Sequence, residues 1–428
     1  MLLSDKNRLR RYRIWMMLLL LLGGIYVLAS LPLCPHGKET PPELLFYQKN
    51  AALLEVGAAK VEIQVPHWPV TVAGYGPVRA EATGQTLPLY ARAVVLQSNE
   101  LSLSLLSLEV LLVSEAFVEE LKAHLGEVLL VPVHSHSSLG GFDRRWQVQL
   151  AAMGRFNEAQ HQAVLKACLQ AVEEARQNLQ PAHFAWEEST LENWTRPRSG
   201  KQVDTRLVRL RWEGVHAPLA QILLLSAHPT LVKPSATQLN PDFPGELALL
   251  EEEAGNGVTL VWPSAVANAR IALPEATPRS VAQTLHAHLQ AWPALPASAP
   301  EVPPEAPLEV HHARIGFALP AMDTRLVPTF LRGPANNLLC QGIPTHAQLS
   351  VLRLGGLQLV AVPFEVGAEA ALALEEAGLG RVVSMANGYL GYLETPGHVK
   401  ERTGESKLQY FDKGLLGRLL QTEQARPF

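Results

Sequence analysis

The chain has 428 residues, of which 47% are hydrophobic and 18% charged, with a net charge of −4. The apolar content and small net charge exclude a disordered chain. Three cysteines without a Cys-x-x-Cys pair exclude a disulfide scaffold and a zinc finger, and the balanced charge offers no general basic surface for nucleic acid.

The N-terminus departs from these averages. Residues 1–13 hold Lys6, Arg8, Arg10, Arg11 and Arg13 against Asp5, so this stub carries +4 and the remainder −8. Ile14 to Leu33 then runs without a charge. At about 1.5 Å per residue this is enough to span the ~30 Å hydrocarbon core of a bilayer, and the basic flank should stay cytoplasmic. The expected order is a cytoplasmic stub (1–13), a transmembrane signal anchor (14–33), a tether (34–55) and one domain (56–428) on the periplasmic or extracellular side. A cleaved signal peptide is the alternative, although Leu31-Pro32-Leu33 before Cys34 fits cleavage poorly.

From Val56, apolar β-rich runs alternate with helical periodicity. Strands are expected at 92–97, 101–113, 127–133, 205–212, 219–227, 257–262, 349–363 and 381–386. Helices are expected at 114–125, 156–179, 245–254, 278–291, 366–378 and 412–423. This alternation predicts an α/β fold of mixed β-sheets flanked by helices, in a single large catalytic domain. The Pro/Ala-rich stretch 292–307 reads as a linker or long surface connection. Neither GxxxxGK[ST] nor GxGxxG occurs.

Several apolar runs end in metal-binding residue types. The run 127–133 is followed by His134-Ser135-His136-Ser137, 219–227 by His228-Pro229-Thr230, 357–363 by Phe364-Glu365, and 381–386 by Asn387-Gly388-Tyr389-Leu390-Gly391-Tyr392. In an extended segment His134 and His136 point to one face, and open α/β sheets place their sites beyond the carboxyl ends of strands. Two imidazoles, a carboxylate and water are the ligands of a hydrolytic zinc site. Each element also has a plain structural reading: a hydrogen-bonded loop histidine, a carboxylate favouring the start of the next helix, half-buried aromatics. The histidines at 124, 161, 286 and 288 fall in helical segments and read as surface or interfacial, with His311 and His312 among polar residues. Cys168 and Cys340 read as small apolar core residues.

Further segments carry wording of their own. Gly57-Ala58-Ala59-Lys60-Val61-Glu62-Ile63, Ala73-Gly74-Tyr75-Gly76 and Pro88-Leu89-Tyr90-Ala91-Arg92-Ala93 open the domain. Asp242-Phe243-Pro244-Gly245 follows His228, and Val362-Pro363 precedes Phe364-Glu365. With the strand ends above, they resemble in order the N-terminal region and the THTHSGPGG, AHPT, DxPG, VPGE and NxYxxY motifs of the neutral/alkaline (non-lysosomal) ceramidase family, over roughly residues 56–395.

The resemblance implies a zinc amidase that cleaves the N-acyl bond of ceramide into sphingosine and fatty acid. Carried over by position, the Zn2+ ligands would be His134, His228, Glu365 and Tyr392, with His136 as the catalytic histidine beside them and Arg196 facing the substrate. Zinc would bring the pKa of water to about 7, and a neighbouring base would pass the proton to the leaving amine. The implied partner is a membrane lipid, ceramide or another N-acyl lipid, with the N-terminal helix holding the domain near its substrate. The sequence assigns no oligomeric state.

Departures from the family pattern are specific. The stretch 259–268 lacks the family's GDVSP serine, with Ser264 standing nearest. The VPGE glycine is Phe364, which would narrow or plug the site, and the family's strand aspartate is Glu109. No counterpart of the C-terminal immunoglobulin-like domain of longer members is expected in the residues after the tyrosine motif. Two other readings therefore stand beside the first: a related metallohydrolase acting on another envelope lipid, and a non-catalytic lipid-binding or scaffold protein.

Overall fold

The computed structural model describes residues 2–31, 39–50, 53–76, 80–292, 308–317, 322–411 and 413–421. After helix α1 (Leu2–Ser30) and strand β1 (Glu43–Asn50), the chain enters β2 (Glu55–Glu62), β3 (Tyr90–Ser98) and β4 (Leu101–Leu108). Helix α2 (Glu115–Leu125), strand β5 (Glu127–Pro132) and helix α3 (Glu158–Gln177) complete this part. A second group comprises β6 (His183–Thr190), β7 (Arg206–Glu213), β8 (Pro218–Leu225), α4 (Asp242–Glu253), β9 (Val258–Pro263) and α5 (Pro278–Gln290). A third comprises β10 (Leu308–Gly316), α6 (Arg332–Leu339), β11 (His346–Leu354), β12 (Leu357–Ala361), α7 (Ala368–Glu376) and β13 (Arg381–Val383).

Each group forms a mixed sheet. The first runs β5-β4-β3-β2 with Gln180–Pro181 at its edge, the second β6-β7-β8-β9, and the third β1-β10-β11-β12-β13. In all three, antiparallel strands end in one parallel pair: β4 with β5, β8 with β9, and β12 with β13. A parallel pair needs a crossover, and α2, α4 and α7 provide it.

One buried apolar cluster takes residues from all three sheets, among them Leu96 and Leu105, Trp212 and Leu260, Leu352 and Leu359. Separate clusters bury the other face of each sheet under its own helices. Strands covered on both faces must be apolar on both. That is why 128–132 and 222–225 read as continuous apolar runs rather than alternating ones.

Several expectations are corrected. The tether expected over 34–55 contains β1, which pairs antiparallel with β10 and closes the third sheet. The strand expected over 349–363 is a hairpin of β11 and β12. His311 and His312 lie buried within β10, bonded to Glu309 and Glu127. His161 is buried too, between the Phe142 carbonyl and Glu120. Cys168 is a buried free thiol, whereas Cys340 is disulfide-bonded. Of the connection 292–307, only Trp292 is among the described residues.

The N-terminal expectation also changes. The charge-free part of α1, Ile14–Ser30, is about 25 Å long at ~1.5 Å per residue. Among the described residues no helix is long and apolar enough to cross a membrane. The transmembrane span expected over 14–33 is therefore not supported, and Pro32 and Leu33 lie outside the described residues. The large apolar side chains of α1 from Ile14 to Leu28 are nonetheless exposed on all its sides.

Glu109 is a structural residue. Its carboxylate pairs with the buried Arg92 and accepts the Tyr90 amide at 2.7 Å. Arg92 reaches on to Glu252 at 2.8 Å, and Lys60 reaches the same carboxylate. Gly245 passes so close to this pair that a Cβ there would stand 2.7 Å from Glu109 Oε1. Removing one partner strands a buried guanidinium. Glu109→Ala should therefore cost about 3–5 kcal/mol in urea unfolding, and a loss under about 1 kcal/mol would overturn this role.

Candidate metal centre and its cavity

The three parallel pairs deliver their strand ends to one place. β5 runs into His134, whose φ of 70° turns the chain sharply out of the sheet. Its amide still bonds the Val110 carbonyl at 3.0 Å, which holds the turn against the end of β4. β8 runs into His228, β12 into Glu365, and the chain after β13 into Tyr389 and Tyr392. The short strands Glu365–Val366 and Tyr392–Leu393 pair with each other in parallel.

At the centre His134 Nε2 lies 3.2 Å from His228 Nε2 and 3.4 Å from His136 Nε2. Glu365 closes the group, with Oε1 3.5 Å from His134 Nε2 and Oε2 3.4 Å from His228 Nε2. The three imidazoles present ligand atoms within 4.8 Å of one another. His134 Nδ1 bonds the Leu111 carbonyl at 2.8 Å, and His228 Nδ1 bonds the Val266 carbonyl at 3.0 Å. A carbonyl accepts only, so both Nδ1 atoms carry the proton, and in the neutral rings both Nε2 atoms are bare acceptors.

The electrostatics agree with this tautomer assignment. Burial, with its imidazole neighbours, holds His136 well below its ordinary value and His228 at about 3. Burial would raise the Glu365 carboxyl, but His134 and His228 pull it below the usual carboxylate range. Burial and Glu365 together push the Tyr389 and Tyr392 phenols far up. His136 and His228 are therefore neutral imidazoles beside an anion. Glu365 Oε2, facing the imidazoles, is buried without a hydrogen-bond partner, as is His136 Nδ1 on the far side of its ring beside Gly74. Unsatisfied acceptors facing one another fit a divalent cation, and a set of nitrogen and carboxylate donors suits zinc.

Supporting residues set this geometry. Tyr389 donates to Glu365 Oε1 at 2.7 Å. Ser135 and Ser137 both donate to the Asn240 carbonyl at 2.9 Å, pinning the His134–His136 turn. The Asp242 carboxylate accepts the Leu231 and Phe243 amides, tying the loop after His228 to the start of α4. Asn387 pairs with the β5 backbone, its Nδ2 donating to the Val128 carbonyl and its Oδ1 accepting from the Leu130 amide. Gly74 has a φ of 92°, and a Cβ there would stand 2.8 Å from the His136 ring.

Of the residues read from the sequence, His134, His136, His228, Glu365 and Tyr392 surround this centre. Arg196 does not. It is exposed in the strand Thr195–Pro197, and Arg198, two residues on, faces the site instead. Arg198 donates to the Tyr392 hydroxyl at 2.9 Å and pairs with Glu405 at 3.1 Å. Ser264 donates to the Val382 carbonyl at 2.8 Å, away from the centre. Phe364 is buried in the core of the third sheet and leaves the site open. The sequence reading missed Arg198 and Glu405, for which a paired basic and acidic residue far apart in the chain leave no local signal. It also left the role of Tyr389 undecided.

The centre lies at the end of a cavity of about 490 Å³. Leu112, Val148, Ala151, Leu339, Ile343 and Phe411 form its apolar walls, and Arg198, Tyr75 and Tyr392 join the imidazoles as polar groups. An apolar pocket with a few convergent polar groups is the usual form of a small-molecule site.

Metal-free protein is expected to take up one Zn2+ or Co2+ per chain, read by elemental analysis or Co2+ absorption. His134→Ala and His228→Ala should weaken uptake roughly 100-fold or more, and Tyr389→Phe about tenfold. Full metal content in both histidine variants would overturn the assignment.

The fold and sequence have solved relatives. Residues 54–260 match the family described as neutral/alkaline non-lysosomal ceramidase, N-terminal. A structure titled "Ceramidase complexed with C2" shares the fold with a TM-score of 0.72 at 18% identity, covering 87% of this chain and 74% of its own. Neutral ceramidase from Pseudomonas aeruginosa gives a TM-score of 0.70 at 18% identity, covering 87% of this chain and 73% of its own. No curated protein sequence matches the chain. The match over 54–260, with the fold shared over most of the chain, supports the neutral/alkaline non-lysosomal ceramidase family for this protein.

Proposed function

We propose that the protein is a zinc-dependent amidohydrolase that cleaves the N-acyl amide bond of ceramide or a similar N-acylated lipid. The observation that carries this reading is the cluster of His134, His136, His228 and Glu365, with bare acceptor atoms, at the end of an apolar cavity. His134, His228 and Glu365 would hold the cation, with Tyr392 beside them. When bound, the cation supplies a Lewis acid that polarises the amide carbonyl and makes water a nucleophile near neutral pH.

The chain's own groups do the rest. The apolar walls take the acyl chain and exclude water, which strengthens every charge interaction inside. Arg198, charged and fixed by Glu405 and Tyr392, places a donor where the carbonyl oxygen gains negative charge. His136, held neutral by burial, takes a proton from water at one ring nitrogen. Water oxygen bonds to the acyl carbon, the C–N bond breaks, and the proton passes to the leaving nitrogen. The products are a fatty acid and the amine. Phe364, buried in the core, does not obstruct this cavity.

The same reading places the domain outside the cytoplasm, held to a membrane by α1. Two observations support it: the apolar surface of α1, which water does not favour, and the disulfide at Cys340, a bond that persists in oxidising compartments.

The test is fatty-acid release from labelled N-acyl sphingosine in detergent micelles. Release should stop with a chelator and return with Zn2+. Arg198→Ala should lower kcat/KM about 10²–10³-fold, while Arg196→Ala stays close to the unsubstituted protein. Chelator-insensitive release would reject the metal mechanism, and no release despite bound metal would favour a lipid-binding role.

A further inference from the structure

Two segments that line the cavity also expose apolar side chains to solvent. The first is the helical turn starting at Trp146, which passes into a π-helical turn over Gln149–Met153. Val148 and Ala151 line the cavity from within, while Trp146 and Leu150 point outward, Leu150 64% exposed. The second is the stretch running into α6. Leu339 and Ile343 line the cavity, while Phe330, Leu331 and Leu338 are exposed, Phe330 to 64%. Gln147 Nε2 ties the two together, donating to the Leu338 carbonyl at 3.0 Å and the Leu339 carbonyl at 3.3 Å. Inner wall and outer rim are thus the same backbone.

This rim is continuous with α1. Asn337 Nδ2 donates to the Ala29 carbonyl at 2.6 Å and the Leu31 carbonyl at 2.5 Å, and the Tyr26 hydroxyl donates to the Phe330 carbonyl. The C-terminal end of the apolar helix is therefore bonded to the rim. A soluble surface seldom exposes this much contiguous apolar area unless something covers it. Whatever takes up the exposed sides of α1 lies against the rim as well.

We infer that the rim of Trp146, Leu150, Phe330, Leu331 and Leu338 is a bilayer-docking face that seats the cavity mouth in the lipid surface, so that substrate enters from the bilayer without crossing water. The occupant is a lipid bilayer because the part of α1 next to the rim, Ile14–Ser30, exposes apolar side chains on all its sides, which a single flat protein partner would not cover. An aromatic beside aliphatic side chains also suits the headgroup boundary. The inference rests on the proposed lipid substrate for its purpose, but its location test is independent of any activity.

The test uses the full chain. Leu150→Cys, Phe330→Cys and, as control, Val215→Cys are labelled with an environment-sensitive thiol dye, Cys168 being buried and Cys340 already bonded. Val215 is 78% exposed and lies in the turn before β8, at the opposite end of that strand from His228. In phosphatidylcholine vesicles with brominated acyl chains, the dyes at 150 and 330 should shift blue and be quenched while that at 215 is not. Equal quenching at all three positions would overturn the inference. So would a blue shift that follows protein concentration without vesicles, which marks contact between copies. A second readout separates this from the function proposed above. Leu150→Ser with Phe330→Ser should raise KM about tenfold or more on vesicle-embedded N-acyl lipid and leave hydrolysis of a water-soluble short-chain amide unchanged. No hydrolysis of either substrate by the unsubstituted protein defeats the proposed reaction while the quenching result still decides the docking face.

Discussion

Two neutral imidazoles with their Nδ1 protons committed to carbonyls cannot hydrogen-bond to each other through Nε2. At His134 and His228 that commitment forces two lone pairs together at 3.2 Å, with Glu365 and His136 crowding the same point. In a buried site such facing acceptors are costly unless a positive charge lies among them. Protonating an imidazole is one answer, but burial opposes it at His136 and His228. A divalent cation is the other, and it satisfies all the acceptors at once. Every further feature of the site, from the Tyr389 hydroxyl on Glu365 to the serines on Asn240, keeps these acceptors aimed inward.

Holding them there is a problem for the fold, because the acceptors come from distant parts of the chain. Each sheet solves it in the same way, with one parallel pair whose carboxyl end faces the centre. The cluster shared by the three sheets then sets their mutual position. Asn387 adds a direct tie. Its amide pairs with the β5 backbone and so locks the end of the third sheet to the edge of the first. Asp242 does the same between the loop after His228 and α4. Substitution at these positions would move ligands without touching them, since backbone partners are lost rather than a metal contact.

Much of this was legible in the sequence, for a physical reason. Buried strands must be apolar on both faces, so their ends are marked by polar residues: His134 and Glu365 are the first after their runs, and His228 and Asn387 follow closely behind Ser226 and Ser384. What was not legible depends on partners far along the chain. β1 is a short run of mixed polarity whose strand character comes from pairing with β10 more than 250 residues later. Arg196 and Arg198 have the same spacing-two relation to a strand. Only the loop beyond Thr195–Pro197, where Arg198 bonds the Asn268 carbonyl, decides which guanidinium meets Tyr392. At the N-terminus composition alone overreached. An uncharged run as long as a bilayer is thick does not fix where a helix stops, and α1 stops at Ser30.

The low identity to structures of the same fold follows from this division of labour. A core shared by three sheets asks for apolar volume and correct patterning, which many sequences meet. Phe364 shows the latitude. It stands where the related motif has glycine, yet its ring goes into the core of the third sheet and leaves the cavity intact. The centre has no such latitude, because it asks for nitrogen and oxygen at fixed directions rather than for volume. Eighteen per cent identity is therefore compatible with the same architecture. Such chains are free to differ at the cavity walls and rim, which neither the shared core nor the centre fixes. On this chain Leu112, Val148, Leu339, Ile343 and Phe411 make those walls largely apolar, and the rim is bonded to α1 through Tyr26 and Asn337.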